Sequence, residues 1–234
     1  MSAQNILLKT KILRRARDLT PQFLRTAYRK IIPANMDLAF QRVYAEDQWG
    51  GGSGRGSTPS NTELYRNLIE QFVRKHNIQS VVDAGCGDWQ STQLINWGDA
   101  EYLGLDVVPS LISQNSEKFG PRYNFKLLDF SKSELPRADL ALFKDVLQHW
   151  PTKTILHLLP MLDVYKYVII TNSINGQAAI NSDIAMAGYR PIDLRLPPFN
   201  FGAEELLRYK TDEVGQNDPP NKLVLLYRPQ SSRA

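Results

Sequence analysis

Apolar residues along this chain form short runs that alternate with stretches of helical periodicity. Runs typical of buried strands lie near 80–84, 101–105, 124–128, 139–144 and 166–172. Helical spacing of apolar residues is found near 61–76, 90–97, 109–118 and 152–163. This alternation predicts a parallel, doubly wound α/β sheet, in which ligands bind at the carboxyl ends of the strands.

The end of the chain changes this pattern. Two further apolar runs, at about 205–211 and at Lys222–Tyr227, predict an antiparallel pair of strands at one edge of the sheet. The sheet would then have seven strands and be mostly parallel. A long non-repetitive stretch, about 173–204, precedes this pair, and its length predicts a functional loop that we interpret as a substrate lid.

The first 45 residues predict a basic helical arm, and residues 46–234 predict the main domain. Apolar residues recur at near-helical spacing from Ile6 to Leu19, and Pro21 begins a second helical stretch that Pro33 ends. One interpretation is a helix pair packed on the domain or on a second subunit. The alternatives are an arm that binds anionic lipid or a lipid-linked or phosphorylated substrate, and a disordered segment.

The net charge of +4 is unevenly distributed. Residues 1–50 contain nine basic and four acidic residues and carry +5, whereas the remaining 19 basic and 20 acidic residues carry −1. The main domain therefore has no basic excess, which argues against nucleic acid as a partner.

Composition excludes further classes of protein. The apolar runs are far shorter than the ~20 residues of a membrane-spanning helix. The only cysteine, Cys86, excludes an internal disulfide and is typical of a reducing cytosol. The expected location is cytoplasmic, with peripheral contact at the inner membrane face as an alternative through the basic arm. The three scattered histidines, His76, His149 and His157, form no metal signature.

A glycine-rich turn follows the first predicted strand of the sheet. Gly85 and Gly87 allow the backbone to turn sharply and to approach a ligand. Nineteen residues after Gly87, the second predicted strand ends at Asp106. A glycine turn after one strand and an acid at the tip of the next form the usual clamp for a nucleoside, in which the acid accepts hydrogen bonds from ribose hydroxyls.

The turn differs from two other nucleotide-binding motifs. Gln90 stands where the third glycine of the dinucleotide motif G-x-G-x-x-G would lie, which argues against NAD or FAD. No G-K-[ST] follows, which excludes a phosphate-binding P-loop.

At these residues the chain resembles class I S-adenosylmethionine (SAM)-dependent methyltransferases, which have a Rossmann-like fold. Four stretches match the family's motifs in the expected order: Asp83–Gly87, Leu103–Asp106, Leu127–Phe130 and Asp139–His149. The resemblance covers roughly residues 45–229. It is closest to bacterial members with a W-G-G-G-x(n)-G-S lead-in and a G-C-G-D-W-Q turn.

The resemblance implies that SAM is the cofactor and S-adenosylhomocysteine (SAH) the product. Asp106 would accept the ribose hydroxyls, Asp129 and Phe130 would frame the adenine, and Asp83 would orient the turn and the SAM amino group. The full predicted cofactor set is Arg55, Asp83, Gly85, Cys86, Gly87, Asp88, Trp89, Asp106, Val107, Asp129, Phe130 and Asp145. Arg55 belongs to a glycine-rich stretch, 49–60, that is either a linker or a loop binding the SAM carboxylate or the substrate.

His149 is the candidate catalytic base, because it follows the fourth strand and an imidazole exchanges protons near neutral pH. The alternative is a histidine that is structural or lines the cofactor, and Gln148 and Trp150 belong to the same wall. The predicted substrate-binding residues are Trp49, Tyr65, Gln148, Tyr189, Arg190 and Asp193. The aromatic side chains suit a sugar or ring face, and Arg190 suits an anion. No metal is predicted.

These features together predict a methyltransferase that modifies a hydroxyl of a small molecule or saccharide, with a surface glycan as one source of the acceptor. The alternatives are N-methylation of a small molecule and a non-catalytic, SAM-binding regulatory module. A nucleotide-dependent reductase is a further rival.

Overall fold

The computed structural model describes residues 36–174, 181–212 and 221–229. Most of the predicted basic arm, residues 1–35, lies outside these residues, as does part of the predicted lid, residues 175–180. The last ten residues of the predicted arm form helix α1, Met36–Ala45, whose side chains Met36 and Phe40 belong to the core of the main domain. The boundary of the arm remains a prediction.

Seven strands form one sheet, as the sequence predicts. They are β1 (Ser80–Ala84), β2 (Glu101–Asp106), β3 (Asn124–Leu127), β4 (Leu140–Lys144), β5 (Tyr167–Ile174), β6 (Glu204–Lys210) and β7 (Asn221–Tyr227). Their order is β3-β2-β1-β4-β5-β7-β6. The first five strands pair in parallel, and β7 pairs antiparallel with both β5 and β6. The predicted mixed sheet with an antiparallel edge pair is confirmed.

The central strands carry mainly apolar side chains because both faces of the sheet are covered. Alternate residues of β1 belong to different core clusters, Val82 and Ala84 to one and Val81 to the other. Leu140 and Leu142 of β4 join Val81, whereas Ala141 and Phe143 join Val82. The alternation of side chains along each strand thus divides the apolar run between two faces.

Besides α1, the described residues form three α-helices: α2 (Glu63–Lys75), which precedes β1, α3 (Pro109–Phe119), between β2 and β3, and α4 (Thr152–Leu158), between β4 and β5. The observed helix α4 is shorter than the predicted helix, 152–163, because a 3₁₀ helix, Leu159–Val164, follows it and contains Pro160. Proline has no N–H for the α-helical hydrogen bond, so its presence favours this change.

The predicted helix at 90–97 was wrong. The segment has a single 3₁₀ turn, Thr92–Leu94. It lies between Trp89 and Trp97, each 1% exposed, so two large buried side chains fix the ends of a very short connection. Packing of these side chains has overridden the weak helical preference of the segment.

The predicted lid is partly anchored in the core. Its first two residues, 173–174, end β5 and its last residue, Glu204, begins β6. Residues 181–203 have no helix or strand, but Ile192, Leu194 and Phe199 are buried. The N–H of Ile192 donates to the carbonyl oxygen of Ser173 at 2.8 Å. No helix of the described residues is long and apolar enough to cross a membrane.

Candidate active site

The glycine turn lies at the carboxyl end of β1, as the motif predicts. The N–H groups of Gly85 and Cys86 both donate to the carbonyl oxygen of Leu105, at 2.8 and 2.9 Å, which ties the turn to β2. Gly85 and Gly87 have φ values of +82° and +59°, which residues with a side chain rarely adopt. A Cβ on Gly85 would lie 2.5 Å from a methyl group of Val146, so the turn is closely packed.

Asp106, at the tip of β2, faces this turn. Its Oδ2 accepts the N–H of Gly87 at 2.9 Å, and its Oδ1 accepts the N–H of Val108 at 3.0 Å. Burial raises the pKa of Asp106 to about 6, although these hydrogen bonds favour the carboxylate. A carboxylate has about four lone-pair positions, so each oxygen can accept a further hydrogen bond. Its remaining acceptor positions therefore fit the O–H donors of two ribose hydroxyls.

Asp83 lies on β1, two residues before Gly85, and is held by a chain of hydrogen bonds. Its carboxylate accepts the hydroxyl of Tyr102 at 2.6 Å, and the indole N–H of Trp89 donates to that hydroxyl at 2.7 Å. Burial raises the pKa of Asp83 to about 6. The side chains of Trp89 and Cys86 pack in the core, and burial raises the pKa of the Cys86 thiol. At these three positions the backbone, rather than the side chain, is the better candidate for a cofactor contact.

A loop with the sequence Trp49-Gly-Gly-Gly-Ser53 covers the turn. The N–H of Ser53 donates to Oδ2 of Asp88 at 2.9 Å, and the N–H of Asp88 donates to Oγ of Ser53 at 3.0 Å. The hydroxyl of Tyr44 lies 2.8 Å from the same Oγ. A Cβ on Gly87 would lie 2.3 Å from Ser53 Oγ, so the missing side chain makes room for this loop.

The sequence alone did not single out Tyr44 or Ser53. Tyr44 lies on α1 and contacts Ser53 in the glycine-rich loop, and the hydrogen bonds of Ser53 to Asp88 join residues 35 positions apart. The signal that could have found them is the W-G-G-G-S sequence itself, whose glycines allow a close backbone approach.

Asp129 and Phe130, the predicted adenine contacts, follow β3. Burial raises the pKa of Asp129, but hydrogen bonds from Ser131 and Lys132 outweigh it and lower the pKa overall. The Lys132 ammonium lies 2.9 Å from Asp129 Oδ2. Phe130 is 2% exposed and packs near Trp150, with ring centroids 5.3 Å apart. Its ring is therefore part of the core, as is the nearby Val107 side chain.

His149 lies on a 3₁₀ helix, Leu147–His149, directly after β4. Its Nδ1 is 2.7 Å from the carbonyl oxygen of Gly188, so Nδ1 carries the proton and Nε2 has the lone pair. The amide nitrogen of Gln148 makes a long contact, 3.4 Å, with Nε2. Burial lowers the pKa of His149 to about 4, so the ring is neutral at pH 7.

Aromatic rings surround this histidine. The Trp49 ring centroid lies 4.7 Å from that of His149, and the Tyr189 centroid lies 5.9 Å from it. Phe40 meets the ring edge-on at 6.5 Å. The Trp49 loop therefore links the glycine turn, through Ser53, to His149.

The turn 187–190 packs along the backbone of 148–150. The N–H of Ala187 donates to the carbonyl oxygen of His149 at 2.9 Å, and the N–H of Arg190 to that of Gln148 at 3.1 Å. The Arg190 Nη1 donates to the carbonyl oxygen of Trp150 at 2.6 Å. Four of the predicted substrate-binding residues, Trp49, Gln148, Tyr189 and Arg190, are thus brought together around His149.

The other two predicted substrate-binding residues lie elsewhere. Tyr65 packs in the second core cluster and is 3% exposed. The carboxylate of Asp193 forms an ion pair with Arg195 at 2.8 Å. Arg55, predicted to reach the SAM carboxylate, instead has its guanidinium 3.7 Å from the Asp212 carboxylate. These contacts are structural, and any ligand role of the three residues stays a prediction.

A buried charge cluster lies at the carboxyl ends of β4 and β5. Asp145 accepts hydrogen bonds from Lys144 at 2.8 Å and from Lys222 at 3.0 Å, and Lys222 also contacts Ser173 Oγ at 2.9 Å. Burial opposes ionisation of Asp145, but the two ammonium groups outweigh it and lower its pKa to about 2. The Asp145 backbone has φ +58°, a conformation that aspartate tolerates better than most residues.

Comparison with solved structures identifies the fold. N-methyltransferase NodS from Bradyrhizobium japonicum WM9, in complex with SAH, superposes with a TM-score of 0.54 at 13% identity, over 74% of this chain and 89% of that one. Magnesium protoporphyrin IX methyltransferase ChlM from Synechocystis PCC 6803, with bound SAH, gives a TM-score of 0.57 at 14% identity, over 82% and 99%.

A third similar structure is the N-terminal domain of EvdMO1 in the presence of SAH and D-fucose. It gives a TM-score of 0.51 at 14% identity, over 70% of this chain and 82% of that one. No protein family model and no curated protein sequence matches the chain. The strand order, the antiparallel edge pair and these likenesses show that this chain has the fold of class I SAM-dependent methyltransferases.

Proposed function

We propose that this chain transfers a methyl group from SAM to a hydroxyl of a small molecule or saccharide. The observation that carries the proposal is the position of Asp106 at the Gly85–Gly87 turn. Asp106 and the turn lie at the carboxyl ends of β2 and β1, next to the point between β1 and β4 where the order of the strands reverses. Ligands of doubly wound sheets bind at this point. When bound there, SAM supplies an electrophilic methyl group on a sulfonium.

His149 is proposed to act on the acceptor. Methyl transfer to a hydroxyl forms a carbon–oxygen bond, breaks the carbon–sulfur bond with its electron pair going to sulfur, and releases the hydroxyl proton. The Nε2 lone pair of His149 accepts that proton, and the Nδ1–H bond to the Gly188 carbonyl stabilises the resulting imidazolium. The ring is neutral at pH 7, so its Nε2 lone pair is unprotonated before the reaction.

The similar structures bear on the acceptor. The structure of the N-terminal domain of EvdMO1 was obtained in the presence of SAH and D-fucose, which supports a saccharide acceptor for this chain. NodS is an N-methyltransferase, which supports nitrogen as the alternative acceptor atom. The aromatic rings of Trp49 and Tyr189 around His149 suit the apolar face of a sugar. The proposal that the acceptor comes from a surface glycan rests on the basic arm and on analogy with the family.

Calorimetric titration with SAM, SAH and NADH tests the proposal. Micromolar binding of SAM and SAH without binding of NADH is the expected result. Binding of NADH alone, or of none of the three, would refute it and favour the reductase or a generic α/β turn. SAM binding with no methyl transfer to any of a broad panel of sugars and amines would favour the regulatory module.

Replacing Asp106 with asparagine should weaken SAM binding by about 10- to 150-fold. A hydrogen bond to a charged group contributes ~1.5–3 kcal/mol, and the variant removes the charge but keeps the shape. Titration calorimetry on the folded variant measures the change. Glu101→Gln is the matched control, because Glu101 is exposed at the opposite end of the same strand. Equal affinities in the Asp106→Asn variant and the wild type would remove the ribose assignment.

SAM affinity should also fall as the pH drops below 6. Asp106 and Asp83 both have pKa values of about 6 in the free protein, and hydrogen-bond donors and the positive charge of SAM favour the ionised forms. If one carboxylate must ionise on binding, affinity falls by about tenfold for each pH unit below 6. Titrations at pH 7.5, 6 and 5 test this. The Asp106→Asn variant should show a shallower decline if Asp106 is the titrating group.

A further inference from the structure

Arg190 has a buried guanidinium with two unused hydrogen-bond donors. The residue is 3% exposed, and its Nη1 donates to the Trp150 carbonyl oxygen. Its Nε and Nη2 are both buried and have no hydrogen-bond partner among the described residues. No ion pair joins this guanidinium to an acid of the described residues. Asp183, whose charge acts on Arg190, is exposed and accepts the N–H groups of Thr152 and Ile184 instead.

An unpaired guanidinium in such a place needs an explanation. Arginine keeps its charge in proteins, and a buried charge without a partner destabilises the folded state. The two free donors, Nε–H and Nη2–H, point the same way from one edge of the planar group. That edge matches the two oxygens of a carboxylate or a phosphate, which it binds through parallel hydrogen bonds. The geometry is therefore that of an oxyanion site whose anion is supplied from outside the described residues.

The location of this edge connects it with His149. Arg190 is fixed to the backbone of Gln148 and Trp150, the two neighbours of His149, by its own N–H and by Nη1. The preceding residue, Tyr189, is 38% exposed and has its ring 5.9 Å from that of His149.

We propose that Arg190 binds an oxyanion of the methyl acceptor, a carboxylate or a phosphate, and so selects anionic acceptors. The identification of the acceptor as the source of this anion rests on the proposed function, whereas the oxyanion site itself does not. Uronic acids and sugar phosphates carry such an oxyanion, whereas neutral sugars do not.

Thermal unfolding of the full chain tests the site without requiring turnover. The probes are inorganic phosphate and D-glucuronate, with D-glucose as the neutral match and all samples at equal ionic strength. At a concentration about ten times its Kd, a probe that binds only the folded protein should raise Tm by about 3–5 °C. The shift should be absent with D-glucose.

Substitutions assign the shift to Arg190. Arg190→Gln keeps a donor for the Trp150 carbonyl but loses the charged edge, and it should abolish the shift. Arg190→Lys keeps the charge without the paired donors and should lose most of the shift, which covers the case in which the glutamine variant does not fold. Arg208→Gln is the control, because Arg208 is exposed and ion-paired with Glu205, and it should retain the shift.

The outcomes separate this inference from the proposed function. A shift with phosphate alone supports a phosphate-bearing acceptor, and a shift with D-glucuronate supports a carboxylate-bearing one. No shift in the wild type, or an equal shift in Arg190→Gln, overturns the oxyanion site. Titration of the same samples with SAM is an independent measurement. SAM binding without a Tm shift by the anions refutes only the oxyanion site, and a Tm shift without SAM binding refutes only the proposed methyltransferase function.

Discussion

Replacing His149 with asparagine should lower the rate of methyl transfer by about 10²–10⁴-fold, the usual contribution of a general base. The asparagine amide can still donate to the Gly188 carbonyl, which Nδ1 contacts at 2.7 Å, so the turn stays attached. The variant has no lone pair of suitable basicity at the position of Nε2. SAM affinity should stay within about twofold of the wild type, because the proposed cofactor contacts lie at the glycine turn and Asp106.

Two measurements are needed to distinguish a base from a structural histidine. Steady-state kinetics with saturating SAM gives the loss in kcat, and calorimetry gives the SAM affinity of the same preparation. His157→Asn is the matched control, because His157 is exposed on α4, and it should leave both values unchanged. A kcat within threefold of the wild type, or a parallel loss of SAM affinity, would show that His149 is not the base.

The pH profile offers an independent check on this assignment. The His149 pKa of about 4 lies below its ordinary value, so the neutral, basic form persists down to about pH 5. A fall in kcat for the SAM complex should therefore begin only below pH 5. The affinity for SAM should decline earlier, below pH 6, because the carboxylates of Asp83 and Asp106 become protonated there.

The fold was predictable because its strands have an unusually direct signature. Central strands with both faces buried are continuous apolar runs, and the seven observed strands match the predicted ones closely. The position of Asp106 beside the glycine turn was predictable because the motif depends on local order, a glycine turn after β1 and an acid at the end of β2, whereas its ribose contact stays a prediction. Both signals are contained within about 25 residues of sequence.

Other parts of the site depend on contacts between distant residues. Ser53 and Asp88 are 35 residues apart, and Asp145 and Lys222 are 77 apart. Nothing in the local pattern around Lys222 shows that it is buried, since a lysine at the start of an apolar run also fits an exposed strand end. Arg55 is predicted to reach the cofactor, which stays a prediction, and in the structure its guanidinium lies 3.7 Å from the carboxylate of Asp212, near the end of β6. A charged residue in a flexible loop can reach many partners, and the sequence does not choose among them.

Replacing Lys222 with methionine should lower the free energy of unfolding by about 3 kcal/mol or more, the range found when one partner of a buried ion pair is removed. Lys222 is 2% exposed, and its ammonium contacts both Asp145 and Ser173. Methionine fills a similar volume, so the loss reports the charge rather than a cavity. Asp145 keeps Lys144 as a partner, which places the effect at the lower end of the range.

The pH dependence of this loss follows from the pKa of Asp145. Its folded-state pKa of about 2 lies below its ordinary value near 3.8, so the folded state binds fewer protons than the unfolded state between these two pH values. The stabilisation from Asp145, about 2.5 kcal/mol, is present above pH 4 and is lost as the pH falls to 2. The difference in stability between wild type and Lys222→Met should therefore narrow over the same interval.

Urea unfolding at pH 7 and at several values between pH 4 and 2 measures both effects. Asp145→Asn preserves the left-handed backbone and leaves the two ammonium groups without their acid, so it should also be strongly destabilising. The double variant should lose less than the two single losses combined, because both single changes remove the same Lys222–Asp145 interaction, which the double variant loses only once. Lys210→Met, exposed at the end of β6, should change stability by no more than about 0.5 kcal/mol. Strict additivity in the double variant would show that Lys222 and Asp145 stabilise the sheet independently, and that their hydrogen bond contributes little.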